Sequence, residues 1–306
     1  MTKYVIRRLL QMPLVLLLVL AIIFVTLRLS GDPTTLFLRQ DSTPEDRLRV
    51  RAMLSLDQPL PVQYIQFVVK AFRGDFGDSL RYGRPALSVL AERWPASIQL
   101  GLAAFLLAMF VGIPAGALSA LKRGSILDRF AMILVLIGQG AQVFWLGVML
   151  ILVFGVQLRW LPASGSGSLR HLVLPAITLG AFFTARVARF TRTAILDVLH
   201  EDYLRTARAK GLSEGRILLT HLAKNAAIPV VTVLGLTLPV LVGGSVITEV
   251  VFSWPGVGSM IIGAVYNRDY PLVQAGVFAI ALFVMLVNVG VDVMYAYLNP
   301  RIRYGD

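Results

Sequence analysis

Residues 201–217 read EDYLRTARAKGLSEGRI, a charged and mostly basic stretch between two long apolar runs. Six such runs lie along the chain, at 9–27, 98–121, 130–156, 171–190, 226–252 and 273–298. Each is close to the roughly 20 residues that a helix needs to cross a bilayer. With a mean hydropathy of +0.74 and only 15% charged residues, this pattern indicates an integral membrane protein. Because lipid offers no hydrogen-bond partners to the backbone, the runs predict an all-α protein with six transmembrane helices.

The distribution of positive charge predicts which side of the membrane each segment faces. The N-terminus, the second and fourth connections and the C-terminus together hold 14 lysines and arginines, whereas the third and fifth connections hold only Arg159, Arg170 and Arg268. The positive-inside rule therefore places both termini and residues 201–217 in the cytoplasm. The first connection is long enough to be translocated whatever its charge. The net charge of +12 thus indicates a cytoplasmic face rather than a nucleic-acid partner.

Three regions follow from this topology. Residues 1–27 form the cytoplasmic N-terminus and the first helix, which we expect to be an uncleaved anchor because its apolar core is long and no A-x-A site follows it. Residues 28–96 form an extracytoplasmic segment with short helices, and residues 97–306 form a five-helix core. Within the core we expect a cytoplasmic loop at 191–225 and an outer hairpin at 253–272. The chain has no cysteine, which excludes disulfides and cysteine-based metal or redox sites.

The extracytoplasmic segment contains two helix signals. Pro44 stands at a helix start and is followed by two acidic residues in the first turn. A second helix is predicted to end at Gly74, with its apolar face formed by Val62, Ile65, Val69 and Phe72. This helix is expected either to lie along the membrane surface or to pack on the bundle, and a surface cap without ligand contact is an equal alternative.

Breaks in the apolar pattern predict two further features. Pro255 and Gly256 end the fifth run, and NRDYP at 267–271 reverses the chain again. The segment between them is too short to cross the membrane, which indicates a re-entrant or interfacial hairpin. Gly112 and Gly116 have the small-xxx-small spacing that permits close helix contact, and Pro114 between them favours a kink.

The basic stretch itself predicts a helix, a glycine corner and a second helix. Asp202 is suited to a helix start, Gly211 to its end, and Ser213 to the cap of a helix that continues through EGRILLTHLAKN into the fifth run. Small side chains beside cations suit a protein partner that approaches closely and accepts charge-assisted hydrogen bonds. Anionic lipid headgroups are the alternative ligands for the same cations, and the residues alone do not decide between the two.

Polar residues inside the apolar runs are candidates for lining a transport path, since they are costly toward lipid. Ordinary hydrogen bonding between helices is the alternative for each. Glu249 and Asp292 are intramembrane or near-interface acids, and each either serves a functional site or pairs with a nearby arginine or caps a helix. The candidates for the path are Gln139, Gln142, Thr178, Thr232, Thr237, Ser245 and Thr248.

Several stretches, in order along nearly the whole chain, resemble one family. These include GDFGDSL at 74–80, DYLRTARAKGLSEGRILLTHLAKNAAIPVVT at 202–232, GGSVITEVVFSWPGVG at 243–258 and NRDYP. They are similar to ATP-binding-cassette (ABC) importer permeases of the dipeptide, oligopeptide and nickel uptake family. The resemblance implies a type I importer permease fold in the cytoplasmic membrane of a prokaryote.

The family also implies roles for particular residues. A cytoplasmic ATPase would be contacted by Glu201, Asp202, Tyr203, Leu204, Arg205, Thr206, Ala207, Arg208, Ala209, Lys210 and Gly211. The outer gate would be formed by Trp254, Pro255, Gly256, Arg268, Asp269 and Tyr270. Four positions depart from the family pattern: Ser30, Ser55, Gln142 and Asn299. Gln142 stands where a proline is common in the family, and the absence of that proline predicts a straighter third helix.

Function in this family requires partners. The chain has no G-x-x-x-x-G-K-[ST] phosphate loop, so it is not expected to be an ATPase, and ATP with Mg²⁺ would bind to two partner ATPase subunits. The resemblance further implies a second homologous permease and an extracytoplasmic solute-binding protein, with lipid around the helices. Peptide transport by alternating access is the expected function, the solute being a dipeptide, a longer peptide, glutathione, an opine or nickel.

Two other classes of function were weighed. An ATP-independent secondary transporter would need coupling acids at mid-membrane and usually shows inverted repeats, which are not clear here. An intramembrane enzyme would need a catalytic constellation, but the three histidines have neither an H-E-x-x-H motif nor a carboxylate at metal-ligand spacing. We therefore expect no catalytic residues, no metal site and no cofactor in this chain.

Overall fold

The computed structural model describes residues 2–29, 43, 45, 57–199, 201–243 and 245–298. Apart from an isolated bridge between Asp78 and Pro85, every regular element in these residues is a helix, which confirms the all-α prediction. The helices are α1 Thr2–Leu29, α2 Leu60–Phe72, α3 Ala86–Ala91, α4 Trp94–Leu107, α5 Ile113–Leu121, α6 Ile126–Gly140, α7 Val143–Leu150, α8 Leu169–Leu199, α9 Asp202–Ala209, α10 Ala223–Gly243, α11 Val246–Val251, α12 Val257–Tyr266 and α13 Tyr270–Leu298. Wider π-helical turns occupy Ala108–Gly112, Ile151–Gln157 and Ile217–Leu222.

Five segments are long and apolar enough to cross a membrane, and a bent pair of helices supplies a sixth. The five are Leu10–Leu27, Ala86–Leu121, Leu169–Leu199, Glu214–Leu241 and Tyr270–Met294. The pair is Ile126–Gly140 with Val143–Gln157, which meet at an angle of 111°. The six predicted spans are therefore all represented among helices, although two of them differ in form from the prediction.

The third predicted span, 130–156, is not one straight helix. It breaks after Gly140, and Gln142 has φ −64° and ψ 131°. These are polyproline-type angles that a proline would also adopt, so a glutamine at this position preserves the break. The prediction that Gln142 straightens the helix is wrong. Gly138 and Gly140 weaken the preceding turn, and the carbonyl of Gln142 then accepts the first hydrogen bond of α7, from Leu146 N at 2.9 Å.

The fifth predicted span, 226–252, is also interrupted. Helix α10 ends at Gly243, Gly244 lies outside the described residues, and α11 is a separate short helix. At its other end the span is longer than predicted, because the turn Glu214–Arg216 runs through a π-helical turn directly into α10. This continuity confirms the prediction that the helix after Ser213 runs through EGRILLTHLAKN into the fifth apolar run.

The chain divides into two compact units. The larger unit comprises Ala96–Pro255 with residues 286–298, and the smaller unit comprises Thr2–Pro95 with Gly256–Met285. The division at 1–27, 28–96 and 97–306 rests on membrane topology, and it stays a prediction.

Helix α8 is the centre of the larger unit. It packs against α5, α6, α7 and α10, and its buried side chains include Leu179 and Val187. The contact with α5 is very close, because a Cβ added to Gly112 would lie 2.8 Å from the carbonyl oxygen of Thr184. The predicted role of the Gly112 and Gly116 pair in close helix packing is therefore confirmed. A π-helical turn at Ala108–Gly112 comes just before Pro114.

The smaller unit is built around α1, α2, α3, α12 and the first part of α13. Its core contains the fully buried Leu20 and Leu90 and a run of aromatic contacts, such as Phe76 with Phe278 at 5.2 Å between ring centroids. Helix α2 is fixed to α1 by the hydroxyl of Tyr64, which donates to the carbonyl oxygen of Leu17 at 2.7 Å. The chain leaves α2 at Gly74, as predicted, with φ +77°.

Helix α2 packs on the smaller unit mainly through residues other than those of its predicted apolar face. Ala71 is buried and Tyr64 and Phe67 join the core of the smaller unit. The predicted apolar face, Val62, Ile65, Val69 and Phe72, is exposed. The helix is apolar on both sides, so periodicity alone did not show which side the protein covers, and the exposed apolar side is suited to lipid.

Three of the four departures from the family pattern, Ser30, Ser55 and Asn299, lie outside the described residues. The helix predicted to begin at Pro44 also lies outside the described residues, except for Thr43 and Glu45.

Candidate coupling and gating sites

The cytoplasmic loop contains a short amphipathic helix, α9, followed by a glycine turn. Glu201 has extended torsion angles and precedes the helix, and Gly211 turns the chain with φ +76°. Leu204 and Ala207 are buried in the core of the larger unit. The other side chains of α9 are exposed. Its apolar contact with the core is therefore made by Leu204 and Ala207, and its charged side is accessible.

Hydrogen bonds fix this corner to the segment that follows it. Arg208 Nε lies 2.9 Å from Glu214 Oε1, and the hydroxyl of Tyr203 accepts a hydrogen bond from Asn225 Nδ2 at 2.7 Å. Ser213 begins the next turn at the predicted cap position, although its side chain makes no capping hydrogen bond. A movement of α9 would therefore be carried toward α10. Helix α8 ends at Leu199, shortly before α9 begins at Asp202.

A buried ion pair lies in the same unit. Arg192 Nε and Nη2 donate to the two carboxylate oxygens of Asp128 at 3.0 and 3.1 Å. The same carboxylate accepts from the hydroxyl of Ser119 and from Gly124 N. These contacts join the start of α6, the end of α5 and the last third of α8. Sequence analysis did not predict this cluster, because no local pattern joins Asp128 to Arg192, which lies 64 positions later in the chain.

Glu249 on α11 is fully buried in the larger unit. Its Oε1 accepts hydrogen bonds from the hydroxyls of Ser97 and Ser245, each at 2.7 Å. The indole of Trp254 donates to the carbonyl oxygen of Ala96 at 2.9 Å, so the segment after α11 is fixed to the same part of the chain. Of the two readings given to Glu249, the structure favours a positioning role in which it holds α11 against the start of α4.

The predicted outer hairpin contains α12, an apolar helix of 10 residues, followed by a sharp turn into α13. In this turn Arg268 has φ +54° and Asp269 is only 1% exposed. The carboxylate of Asp269 accepts from the hydroxyl of Ser79, from Arg81 N at 3.3 Å and from Leu272 N at 3.3 Å. Asp269 thus caps α13 and fixes the 78–85 loop of the same unit.

The structure separates the polar path candidates into two groups. Thr178, Thr237, Ser245 and Thr248 are buried within the packing of the larger unit. Several of the threonine hydroxyls bond their own helix: Thr178, Thr232 and Thr237 each donate to the carbonyl four residues earlier. Gln142 is exposed and Gln139 is partly exposed, at the break between α6 and α7. The two glutamines therefore fit a path-lining position better than the buried residues, and the role of all seven stays a prediction.

Long apolar helices and a broken span together define a polytopic membrane protein. Comparison with known proteins identifies the family to which the chain belongs. The family model described as "Binding-protein-dependent transport system inner membrane component" matches residues 112–304, and its N-terminal counterpart matches residues 1–101. The chain belongs to this family and is an inner-membrane permease subunit of an ABC importer.

Individual relatives agree with this assignment. The chain is 42% identical over 305 residues to the glutathione transport system permease protein GsiC of Escherichia coli K12, covering 99% of this chain and 100% of the relative. GsiC of Salmonella typhimurium is equally similar. Among solved structures, inward-facing conformations of the MetNI methionine ABC transporter share the fold, with 20% identity, a TM-score of 0.57 and coverage of 69% of this chain and 96% of that chain. The alternatives of a secondary transporter and an intramembrane enzyme find no support here.

Proposed function

We propose that this permease imports peptide-like solutes, such as dipeptides, oligopeptides or glutathione, by alternating access. The observation that carries the proposal is end-to-end similarity to a glutathione transport permease, at 42% identity over 99% of the chain. The remaining parts of the transporter are a second homologous permease, two ATPase subunits that bind ATP and Mg²⁺, and a solute-binding protein outside the membrane.

In this proposal α9 is the contact with the ATPase. Its charged side faces outward, while Leu204 and Ala207 fix it to the core of the larger unit. When the ATPases close on ATP, they displace α9, and α8 and α10 carry that displacement through the membrane. The hydrogen bonds of Arg208 and Tyr203 make the corner stiff enough to transmit the movement rather than absorb it.

The turn at Gly211 gives a direct test of coupling. Its φ of +76° is unfavourable for side chains with a β-carbon, and a β-branched residue suffers most. Open space surrounds the position, so the strain acts on the backbone and not through a steric clash. We expect Gly211→Val to lower solute uptake at least tenfold in cells while the amount of membrane-inserted permease is unchanged.

Two further variants control this experiment. Gly211→Asn should retain most of the uptake, since asparagine tolerates the left-handed conformation. Gly215→Ala changes a glycine four residues away that has an ordinary helical conformation and open surroundings, and it should behave as wild type. Undiminished uptake in Gly211→Val would contradict a coupling role for this corner.

The solute class is tested separately. Cells that express the complete transporter should take up a labelled dipeptide or glutathione in competition with unlabelled peptide, and free amino acids should compete poorly. Uptake of nickel alone, with no response to any peptide, would overturn the proposed solute class and leave the permease assignment intact.

A further inference from the structure

The smaller unit contains a cavity of about 170 Å³ at which two arginines meet small residues. Arg81 lies in the 78–85 loop and Arg93 lies just before α4. The opposite wall is formed by α12, with Gly256, Gly263 and Ala264 leaving room because their side chains are small or absent. By the positive-inside topology this cavity opens on the extracytoplasmic side.

The loop that carries Arg81 is rigidly held. Ser79 N donates to Arg84 O at 2.9 Å and Gly83 N donates to Ser79 O at 2.8 Å, which closes a tight turn. Asp269 then binds both the hydroxyl of Ser79 and the backbone nitrogen of Arg81. The backbone of Arg81 is therefore fixed beside the cavity, and its exposed side chain extends from this fixed point.

Neither guanidinium forms an ion pair within 4.0 Å in the part of the chain that the structure describes. The acidic residue beside Arg93 in sequence, Glu92, is held instead by Arg84, with Nη1 to Oε1 at 2.9 Å and Nη2 to Oε2 at 3.2 Å. The carboxylate of Asp269 also lines the cavity, and it accepts three hydrogen bonds, from the hydroxyl of Ser79, from Arg81 N and from Leu272 N. The cavity thus has excess positive charge.

Helix α12 adds to this positive character. Its first turn, from Gly256 to Ser259, borders the cavity, and the first turn of a helix carries partial positive charge. Two guanidinium groups near a helix start favour a planar anion that can accept paired hydrogen bonds. A carboxylate has this geometry.

We propose that this cavity binds a carboxylate group of the imported solute, with Arg81 and Arg93 as its ligands. The inference rests on the proposed function, because peptides carry such a carboxylate at one end. A cavity of about 150 Å³ accommodates a molecule the size of benzene, so this one accepts the carboxylate-bearing end of a peptide rather than the whole molecule. It acts as a first contact for solute released at the outer face.

Direct binding tests the cavity without requiring transport. The purified permease complex, without solute-binding protein, is titrated with glutarate, with neutral glutaramide and with inorganic phosphate at constant ionic strength. We expect glutarate to bind and glutaramide not to bind. The double variant Arg81→Gln with Arg93→Gln should weaken glutarate binding at least tenfold, and Arg93→Lys should give an intermediate affinity because it keeps the charge but not the planar fork.

Arg73→Gln is the matched control. It replaces an exposed arginine of the smaller unit that does not line the cavity, and it leaves the Arg84–Glu92 pair in place, so glutarate binding should match wild type. Unchanged binding in the double variant would overturn the proposal, as would equal loss in Arg73→Gln. Phosphate binding that is tighter than glutarate binding would also overturn it, since the site would then suit a phosphate such as a lipid headgroup.

Uptake measurements separate this inference from the proposed function. Wild-type cells should import a peptide with a free C-terminal carboxylate faster than its C-terminal amide, and the double variant should abolish that preference. If wild-type cells import no peptide, the proposed function fails, while glutarate binding still reports on the cavity. If peptides are imported and the carboxylate preference is the same in the double variant, the carboxylate site fails and the proposed function stands.

Discussion

At the scale of single residues, the most consequential contact is the buried pair between Asp128 and Arg192. Asp128 is 6% exposed, and its carboxylate accepts hydrogen bonds from Arg192, Ser119 and Gly124. A buried carboxylate that loses its charge leaves its partner without compensation. Loss of the Asp128 charge would leave the guanidinium of Arg192 without a counter-charge. The pair also joins α5, α6 and α8 at one point.

Substitution of Asp128 gives the first prediction at this scale. Asp128→Asn keeps the shape but removes the charge, so a charge-assisted hydrogen-bond cluster is lost at a cost of about 2 kcal/mol. We expect the melting temperature of the detergent-solubilised complex to fall by several degrees. Arg84→Gln, which breaks an exposed pair, should leave the melting temperature unchanged. A melting temperature equal to wild type in Asp128→Asn would show that the cluster does not support the fold.

The residue scale also shows where sequence reasoning stops. Glu249 was recognised as an unusual acid within an apolar run, but its partner Ser97 is 152 positions away in sequence, and no local pattern indicates such a contact. Ser245, four residues before Glu249, is the one partner that helical spacing could have suggested. Spacing along a helix shows local partners, whereas partners from another helix depend on the packing of the whole unit.

At the scale of elements, apolar length predicted the helices well and their breaks poorly. The runs at 98–121, 171–190 and 273–298 lie within continuous helical segments, although the first contains Pro114 after a π-helical turn and the second contains Pro175. The break after Gly140 arises from two glycines and polyproline-type angles at Gln142, which individually are weak signals. Helix α10 likewise ends at a glycine, Gly243. The length of an apolar run therefore indicates that a segment spans the membrane, without showing whether it does so as one helix.

The close packing of α5 on α8 gives a prediction at the element scale. A Cβ on Gly116 would press on the carbonyl oxygen of Ala188 and would lie 2.8 Å from Cβ of Thr191. Because one neighbour is backbone, the two helices must separate, at a cost of about 1–3 kcal/mol. We expect Gly116→Ala to lower the melting temperature and the yield of folded permease.

A matched glycine controls for the effect of alanine itself. Gly290 lies within α13 and has open space at its Cβ position, so Gly290→Ala should be neutral or slightly stabilising through better helix propensity. Equal melting temperatures for Gly116→Ala and wild type would mean that α5 and α8 pack less closely than the structure shows.

At the scale of the whole molecule, membership in a family of binding-protein-dependent permeases makes partners part of the function. The exposed side of α9 is where the cytoplasmic partner is proposed to bind, and the exposed cations there are Arg205 and Arg208 on α9 and Lys210 directly after it. From the sequence alone, anionic lipid was an equal alternative ligand. A protein partner and a lipid ligand predict different results for assembly. A docking surface on α9 is required for assembly with an ATPase, whereas a contact with lipid headgroups is not.

Charge reversal on α9 distinguishes docking from lipid contact. When all subunits are co-expressed, Arg205→Glu with Lys210→Glu should weaken retention of the ATPase on the purified permease at least tenfold, which corresponds to about 1.4 kcal/mol. The second permease should still co-purify, since α9 is cytoplasmic and is not proposed to contact it. Lys122→Glu, an exposed cation at the end of α5, controls for the change in net charge and should retain the ATPase. If the charge-reversed variant keeps its ATPase in detergent and in nanodiscs of zwitterionic lipid, α9 is not the docking surface. If the ATPase is lost in both environments, anionic lipid is not required, and the contact is assigned to protein.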